Sequence, residues 1–248
     1  MSIHRYALLP YLVLSCTALS AQGEPLLFDA TFSGWRILVA DRGEVDVDEQ
    51  EYFVWEDSLL HVYPTATAGS RQPFAALTTD SSYSAYRLHL EYKWGEKRFA
   101  PRDASVRDAG VLFHVYETDV FWPSGLECQI QEGDTRDAWL IGARATSPIH
   151  GDARNFSPSG QPEVRTGERY TKFARSFSWE QEGWNSIDLE VSGDSASFYV
   201  NGHLVNALSQ ALRPGTGSDW APLTEGFISL QAEGAELYYR NVRISLLE

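Results

Sequence analysis

The chain of 248 residues carries 34 acidic against 20 basic side chains, a formal net charge of −14 at neutral pH. That balance repels phosphate backbones and excludes the nucleic-acid-binding classes that work through a basic face. The length suffices for one large domain with a substantial core. Two cysteines, Cys16 and Cys128, are too few for a disulfide framework.

Residues 1–21 read as a signal peptide. Arg5 supplies the positive start, the segment from Ala7 to Leu14 the short apolar run, and Ser15, Ala18, Ser20 and Ala21 the small residues around a cleavage point. Val13-Leu-Ser-Cys16 also resembles a bacterial lipobox. On that alternative the signal ends before Cys16, and a lipid on this cysteine is the chain's one tie to a membrane. The apolar run is too short to span a bilayer as a helix. The expected location is periplasmic or secreted, either soluble or as a membrane-anchored lipoprotein. Cys128 then has no partner for an internal disulfide and reads as a small core hydrophobe.

Residues 24–248 read as a single all-β domain. Strands are expected at Leu59–Tyr63, Tyr86–Trp94, Val111–Tyr116, Leu126–Gln131, Ser186–Val191, Ala196–Val200, Gly226–Gln231 and Leu237–Leu246, each bounded by Gly, Asn, Asp or Pro. No segment after residue 25 sustains a helical period over three turns. Asn201-Gly202, between Ala196–Val200 and the segment from His203 to Val205, predicts a tight hairpin. Many short strands with polar turns indicate a two-sheet sandwich or barrel. Two segments break the rhythm: Lys93–Arg107 is rich in charge, and Ala145–Lys172 reads as a long polar loop.

Among the strands, Leu126–Gln131 is the most telling. Leu126, Cys128 and Ile130 point to one face, and Glu127, Gln129 and Gln131 to the other. Three side chains with directional hydrogen bonds, one of them an acid, suit the floor of a polar cleft for a hydroxyl-rich ligand such as a sugar. Gln231 and Glu233 share parity on their own strand, which predicts that Glu233 reaches the rim of the same cleft. His114 lies opposite in parity to Val111, Phe113 and Val115, and so shares a wet face. His89 and Glu91, with Arg87 and Lys93, read as a solvated outer face of mixed sign. Trp94 and Trp122 are candidates to stack on a sugar ring or to pack in the core. The acids of Glu132-Gly-Asp134-Thr-Arg-Asp137 could hold a hard cation such as Ca²⁺, although the spacing follows no calcium-loop pattern. There is no zinc spacing and no phosphate-cradling glycine motif.

Several blocks in order resemble the 3-keto-disaccharide hydrolase family. They are Leu27-Phe-Asp to Phe32-Ser-Gly-Trp35, Tyr86 to Phe99, Arg107 to His114, Trp122 to Asp134, Gly183-Trp-Asn185, Asn201-Gly202, and Gly226 to Gly234 with Tyr239-Arg-Asn-Val-Arg-Ile244. The resemblance implies a concanavalin-like jelly-roll sandwich with a carbohydrate-binding sheet and a carbohydrate substrate. Many members carry His in the segment that here reads Gln231-Ala-Glu233-Gly. It also implies a chemistry that needs no serine triad. A ketone at C3 acidifies the C2 proton; a base removes it, the C1 substituent leaves, and water adds back. Such a site needs a base, an acid and a donor or metal at the enolate oxygen. The residues expected to act as acid and base are Glu127 and His114. Gln129, Gln131, Lys97 and Arg98 are expected to bind hydroxyls or the developing oxyanion.

Two alternatives follow from the same residues. A retaining glycosidase would use Glu127-x-Gln129-x-x-Glu132, but residues 127 and 132 face opposite ways in a regular strand and would need a bulge to meet. A carbohydrate-binding module would keep the aromatic and amide residues and dispense with the acids.

Overall fold

The computed structural model of the protein describes residues 24–25, 31–150, 155–165, 171–173 and 178–247. The signal-peptide and lipobox readings on residues 1–21, and the Leu27-Phe-Asp block, lie outside the described residues.

Strand formation follows the alternation. In Ala85–Arg98, Tyr86, Leu88, Leu90 and Tyr92 are buried, while Arg87, His89, Glu91 and Lys93 take the other face. That outer face is paired across strands: Asp188 accepts from His89 at 2.9 Å and Arg87 at 3.2 Å, and Arg240 meets Glu91 at 2.6 Å. Two antiparallel sheets result. The larger runs from Asn155–Phe156 through Arg144–His150, His203–Pro214, Ser195–Val200, Asn185–Ser192, Ala85–Arg98, Ala235–Leu246 and Leu59–Val62 to Phe53–Glu56. The smaller runs Thr171–Phe173, Ala138–Ile141, Gly125–Gln131, Asp108–Val115, Phe227–Ala232, Ala75–Thr79, Trp35–Val39, Gly43–Val45. One hydrophobic core lies between them, with Leu126, Cys128 and Ile130 contributed by the smaller sheet and Leu88, Leu90 and Tyr239 by the larger. This is the all-β, two-sheet jelly-roll sandwich that the sequence implies; among the described residues the helical content is the single 3-10 turn Val47–Glu49.

The hairpin at Asn201-Gly202 forms as expected. Val200 pairs with His203, and the two turn residues sit at φ 50° and 79°, the left-handed pair that a two-residue turn between twisted strands requires.

Two segments correct the sequence reading. Ala145–Lys172 is mostly strand in its described parts, with a turn at residues 157–160: Arg144–His150 pairs with Gln161–Arg165 from Ala145↔Arg165 to Ile149↔Gln161, and also with Asn155–Phe156 and His203–Pro214. The Gln161–Arg165 strand has no buried residue. Its hydrogen bonds are made without an apolar stripe, so periodicity carries no signal there. The first part of Lys93–Arg107 is likewise strand, since Ala85–Arg98 continues to Arg98.

One irregularity matters for the site. Pairing between Phe227–Ala232 and Asp108–Val115 shifts between Phe227↔Val115 and Ser229↔Leu112, a bulge, and His114 there has φ 50°. Gly226 makes it possible. A Cβ on Gly226 would lie 2.4 Å from the His114 carbonyl carbon and 2.6 Å from its Cα, both backbone atoms that cannot swing away. Gly226→Ala is therefore expected to cost about 2 kcal/mol or more, in the range of other overpacked core positions. A lower urea midpoint at unchanged denaturant slope is the check; an unchanged midpoint refutes the close-approach argument.

Candidate active site

The face of the smaller sheet turned away from the main core collects the chemistry. Along Gly125–Gln131 the alternation is unbroken: Asp108 pairs with Gln131, Gly110 with Gln129, and Leu112 with Glu127, while Trp139 pairs with Glu127 from the other side. Phe227–Ala232 lies next to Asp108–Val115, so Gln231 and the following Glu233 join the same face. Glu127, Gln129, Gln231 and Glu233 are each less than 5% exposed, at 2%, 4%, 2% and 3%. In place of the expected open cleft these side chains form a closely packed, buried cluster, with Gln131 its partly exposed member, and Glu233 is buried in it rather than set at a rim.

Three carboxyl groups share this space with one guanidinium. Asp108 accepts hydrogen bonds from Arg102 and from the Gln129 amide, and from Gln131 Nε2 at 3.1 Å. Burial nevertheless holds the Asp108 carboxyl above its ordinary range, with Arg102 working against the rise. Burial, and then the charge of Asp108, push Glu233 up to about 8, with Arg102 again opposing. Glu127 is raised well above the usual carboxylate range, first by burial, then by Glu233 and Asp108. The Glu233 charge is one of the causes that raise Glu127, so the two carboxyl groups do not ionise independently.

Gly110 sits at the centre. A Cβ there would lie 2.0 Å from Glu127 Oε1 and 2.2 Å from Gln231 Oε1, so the two side chains occupy the space that a larger residue would fill. Neither Gln231 Oε1 nor Glu233 Oε1 has a hydrogen-bond partner. Buried acceptors left open in this way suit a ligand with hydroxyl donors.

Not all of the expected site residues assemble here. Glu127, Gln129, Gln131 and Glu233 do, and Trp122 packs beside them on the same face with Leu112, Val115 and Ile141. His114 does not. The bulge turns its ring away, and Nε2 lies 2.7 Å from the Gly193 carbonyl oxygen in a turn of the other sheet. Burial lowers its basicity, with the Gly193 carbonyl and the charges of Glu225 and Asp194 opposing. His114→Ala is expected to lower stability by about 1–3 kcal/mol through the lost buried hydrogen bond and packing, and to leave kcat/KM within a few-fold of wild type; a hundred-fold loss of kcat would return it to the chemistry.

Trp94 and Lys97 line a separate groove of about 870 Å³ with Arg107, Glu132, Glu180 and Tyr238. Lys97 is engaged by Glu236 at 2.8 Å and by the Tyr63 and Pro64 carbonyls, and Trp94 Nε1 donates to Glu180 at 2.8 Å. Arg98 pairs with Glu132 at 2.9 Å. These partners draw the basic pair away from Glu127, a matter of tertiary contacts that parity could not reveal. Glu132, held below its usual range by Arg107, is committed to Arg107 and Arg98 and does not pair with Glu127. The strand has no bulge between them, so the two-carboxylate arrangement of a retaining glycosidase is not formed.

The acids considered for Ca²⁺ do not converge either. Glu132 is held as above, Asp134 meets Arg136 at 3.0 Å, and Asp137 is 2% exposed. Among the described residues no three His, Cys, Asp or Glu side chains form a group that could hold a metal ion.

Sequence reasoning missed Asp108, Gly110 and Arg102. Extending the Val111–Tyr116 strand backward would have placed Asp108 and Gly110 on the parity of Leu112. Nothing in the sequence marks Arg102, which reaches the site from a loop.

Comparison with known proteins agrees with the fold. A candidate glycosyl hydrolase from Parabacteroides distasonis is 19% identical with a TM-score of 0.55, covering 92% of this chain and 95% of that one. A second from the same organism is 17% identical with a TM-score of 0.48, over 86% and 99%. A carbohydrate-binding module from Bacillus subtilis is 11% identical with a TM-score of 0.45, over 86% and 95%. No curated protein matches the sequence. The sequence profile of the 3-keto-alpha-glucoside-1,2-lyase-like domain matches residues 24–245, and the chain belongs to that family.

Proposed function

We propose that this protein cleaves 3-keto-glycosides on the carboxylate face of its smaller sheet. The observation that carries the reading is the buried polar cluster in which Glu127 lies against Gln231 over Gly110, feels the charges of Glu233 and Asp108, and has Arg102 held on Asp108. Glu233 as carboxylate takes the proton from C2. The electron pair forms the enolate at the C3 oxygen, beside the positive charge of Arg102. The C1–O bond breaks, and Glu127 gives its proton to the departing oxygen. The product is a 1,2-unsaturated 3-ketone and a free alcohol. Water then adds at C1, returning its proton to Glu127, while Glu233 returns the first proton to C2. One water is consumed and both carboxyl groups end as they began. Enclosure favours this sequence, because a carbanion-like intermediate survives better where bulk water is kept out.

The experiment offers matched native and 3-keto-glycosides and follows release of the alcohol. Release from the 3-keto substrate alone is the expected result, with exchange of the C2 hydrogen. Release from native sugars instead points to an ordinary glycosidase and defeats the elimination.

A second reading draws on the groove at Trp94, Lys97 and Tyr238, which could hold carbohydrate without cleaving it. Binding that survives Glu127→Gln but is lost in Trp94→Ala, with no release from either substrate, favours that module. Export through residues 1–21, with or without a lipid on Cys16, is part of the proposal; the mass of the mature N-terminal peptide tests it.

A further inference from the structure

The carboxylate face has two unlike halves. Toward the Gln131 end of its strand lie Asp108, Gln129, Gln131, Gln231 and Glu233. Toward the Gly125 end lies a second apolar cluster, separate from the main core: Leu112, Val115 and Ile141, with Trp122, Trp139 and Phe227 packed on it. Glu127 stands at the boundary, in register with Leu112 on one side and Trp139 on the other. Trp122 and Trp139 are half-buried.

We propose that this apolar half is the leaving-group subsite, and that the leaving group it takes is aromatic. The inference rests on the reading of Glu127 as the acid. That acid protonates the oxygen joining C1 to the aglycone, so the scissile bond lies at the boundary. The keto-sugar ring, which needs partners for its hydroxyls, then lies over the amides, and the aglycone over Trp139 and Trp122. The hydroxyl and cationic groups beside that cluster are already engaged. The Thr78 hydroxyl donates to the Ser229 hydroxyl at 2.9 Å, and Arg36 is paired with Asp80 at 3.1 Å while covering the Phe227 ring at 5.7 Å. A planar aromatic ring needs no such partners and gains from offset or edge contacts with the indoles.

The test uses three 3-keto-glucosides that share the sugar and differ in the leaving group: benzyl, methyl and glucosyl. Comparing each variant with wild type on the same substrates cancels the intrinsic reactivity of each leaving group. Wild type is expected to favour benzyl over both others in kcat/KM. In Trp139→Ala, and independently in Trp122→Ala, the benzyl-to-methyl ratio is expected to fall about ten-fold, mainly through KM, the size of one aromatic contact. Trp139→Leu and Trp122→Leu keep apolar bulk for the case where an alanine variant does not fold, and are expected to lower the ratio in the same direction. An unchanged ratio in the folded variants, or a wild-type preference for the glucosyl substrate, overturns the aromatic subsite while leaving the elimination intact. Release from none of the three overturns both.

Discussion

Glu233→Gln is expected to lower kcat on a 3-keto-glycoside by about 10²–10⁴-fold with little change in KM, the usual contribution of a positioned base. The amide keeps the shape and loses the ability to take a proton from carbon. The pH profile should change with it. In wild type, kcat/KM rises as Glu233 ionises near the value of about 8 to which burial and Asp108 push it, and falls at higher pH as Glu127, raised further by the Glu233 charge, gives up its proton. In the variant the rising limb near 8 disappears. Stability gives an independent reading. The folded state binds the Glu233 proton more tightly than the unfolded chain, whose carboxyl has the ordinary value of 4.5. Its favourable contribution is therefore complete below about 4.5 and is lost as the pH rises through about 8, by an amount of the order of a few kcal/mol. Wild type should lose melting temperature across that window, and Glu233→Gln should lose less of it. Near-normal turnover with an unchanged profile would remove Glu233 from the mechanism. An unchanged rate with C2-deuterated substrate would not, because product release can mask the chemical step.

Gly110→Ala is expected to abolish more than 99% of activity, about a 10²-fold loss or greater, while costing about 1–3 kcal/mol of stability. The added methyl carbon would sit 2.0 Å from Glu127 Oε1, 2.8 Å from its carboxyl carbon and 2.2 Å from Gln231 Oε1. Both side chains end in flexible groups, so the clash can be relieved without unfolding the sheet. Relief moves the acid from the boundary between the polar and apolar halves of the face, and a displacement of about 1 Å is enough to cost this much rate. Gly226→Ala is the contrast. There the obstructing atoms are backbone, so stability carries the loss. Full activity in a folded Gly110→Ala protein would show that Glu127 need not occupy that slot.

The Glu127 strand was legible because its two faces differ in every residue: Leu126, Cys128 and Ile130 against Glu127, Gln129 and Gln131. The parity of Gln231 and Glu233 was legible for the same reason. His114 obeyed the same rule on paper and broke it in the fold. Its parity was reset by a bulge whose cause, the close approach of Gly226, lies on a neighbouring strand 112 residues away in sequence. Lys97 and Arg98 carried the right charge for an oxyanion, yet Glu236 and Glu132 claim them. Arg102 carries the same charge, and its contact with Asp108 brings it to the carboxylates.

By itself the sequence determines the all-β class, the hairpin at Asn201-Gly202 and the division of the Glu127 strand into a core face and a polar face. These are local properties: a strand repeats every two residues, and a two-residue turn needs two left-handed positions. The tertiary structure alone decides that Glu127 and Gln231 meet over Gly110, that the charges of Asp108 and Glu233 act on Glu127, and that Trp139 stands beside Glu127. Strand order and register are set by contacts between distant segments. The chemistry is decided there as well. A glutamate in sequence is an ordinary acid; burial, with Asp108 beside Glu233 and with Glu233 and Asp108 beside Glu127, holds both carboxyl groups above that range.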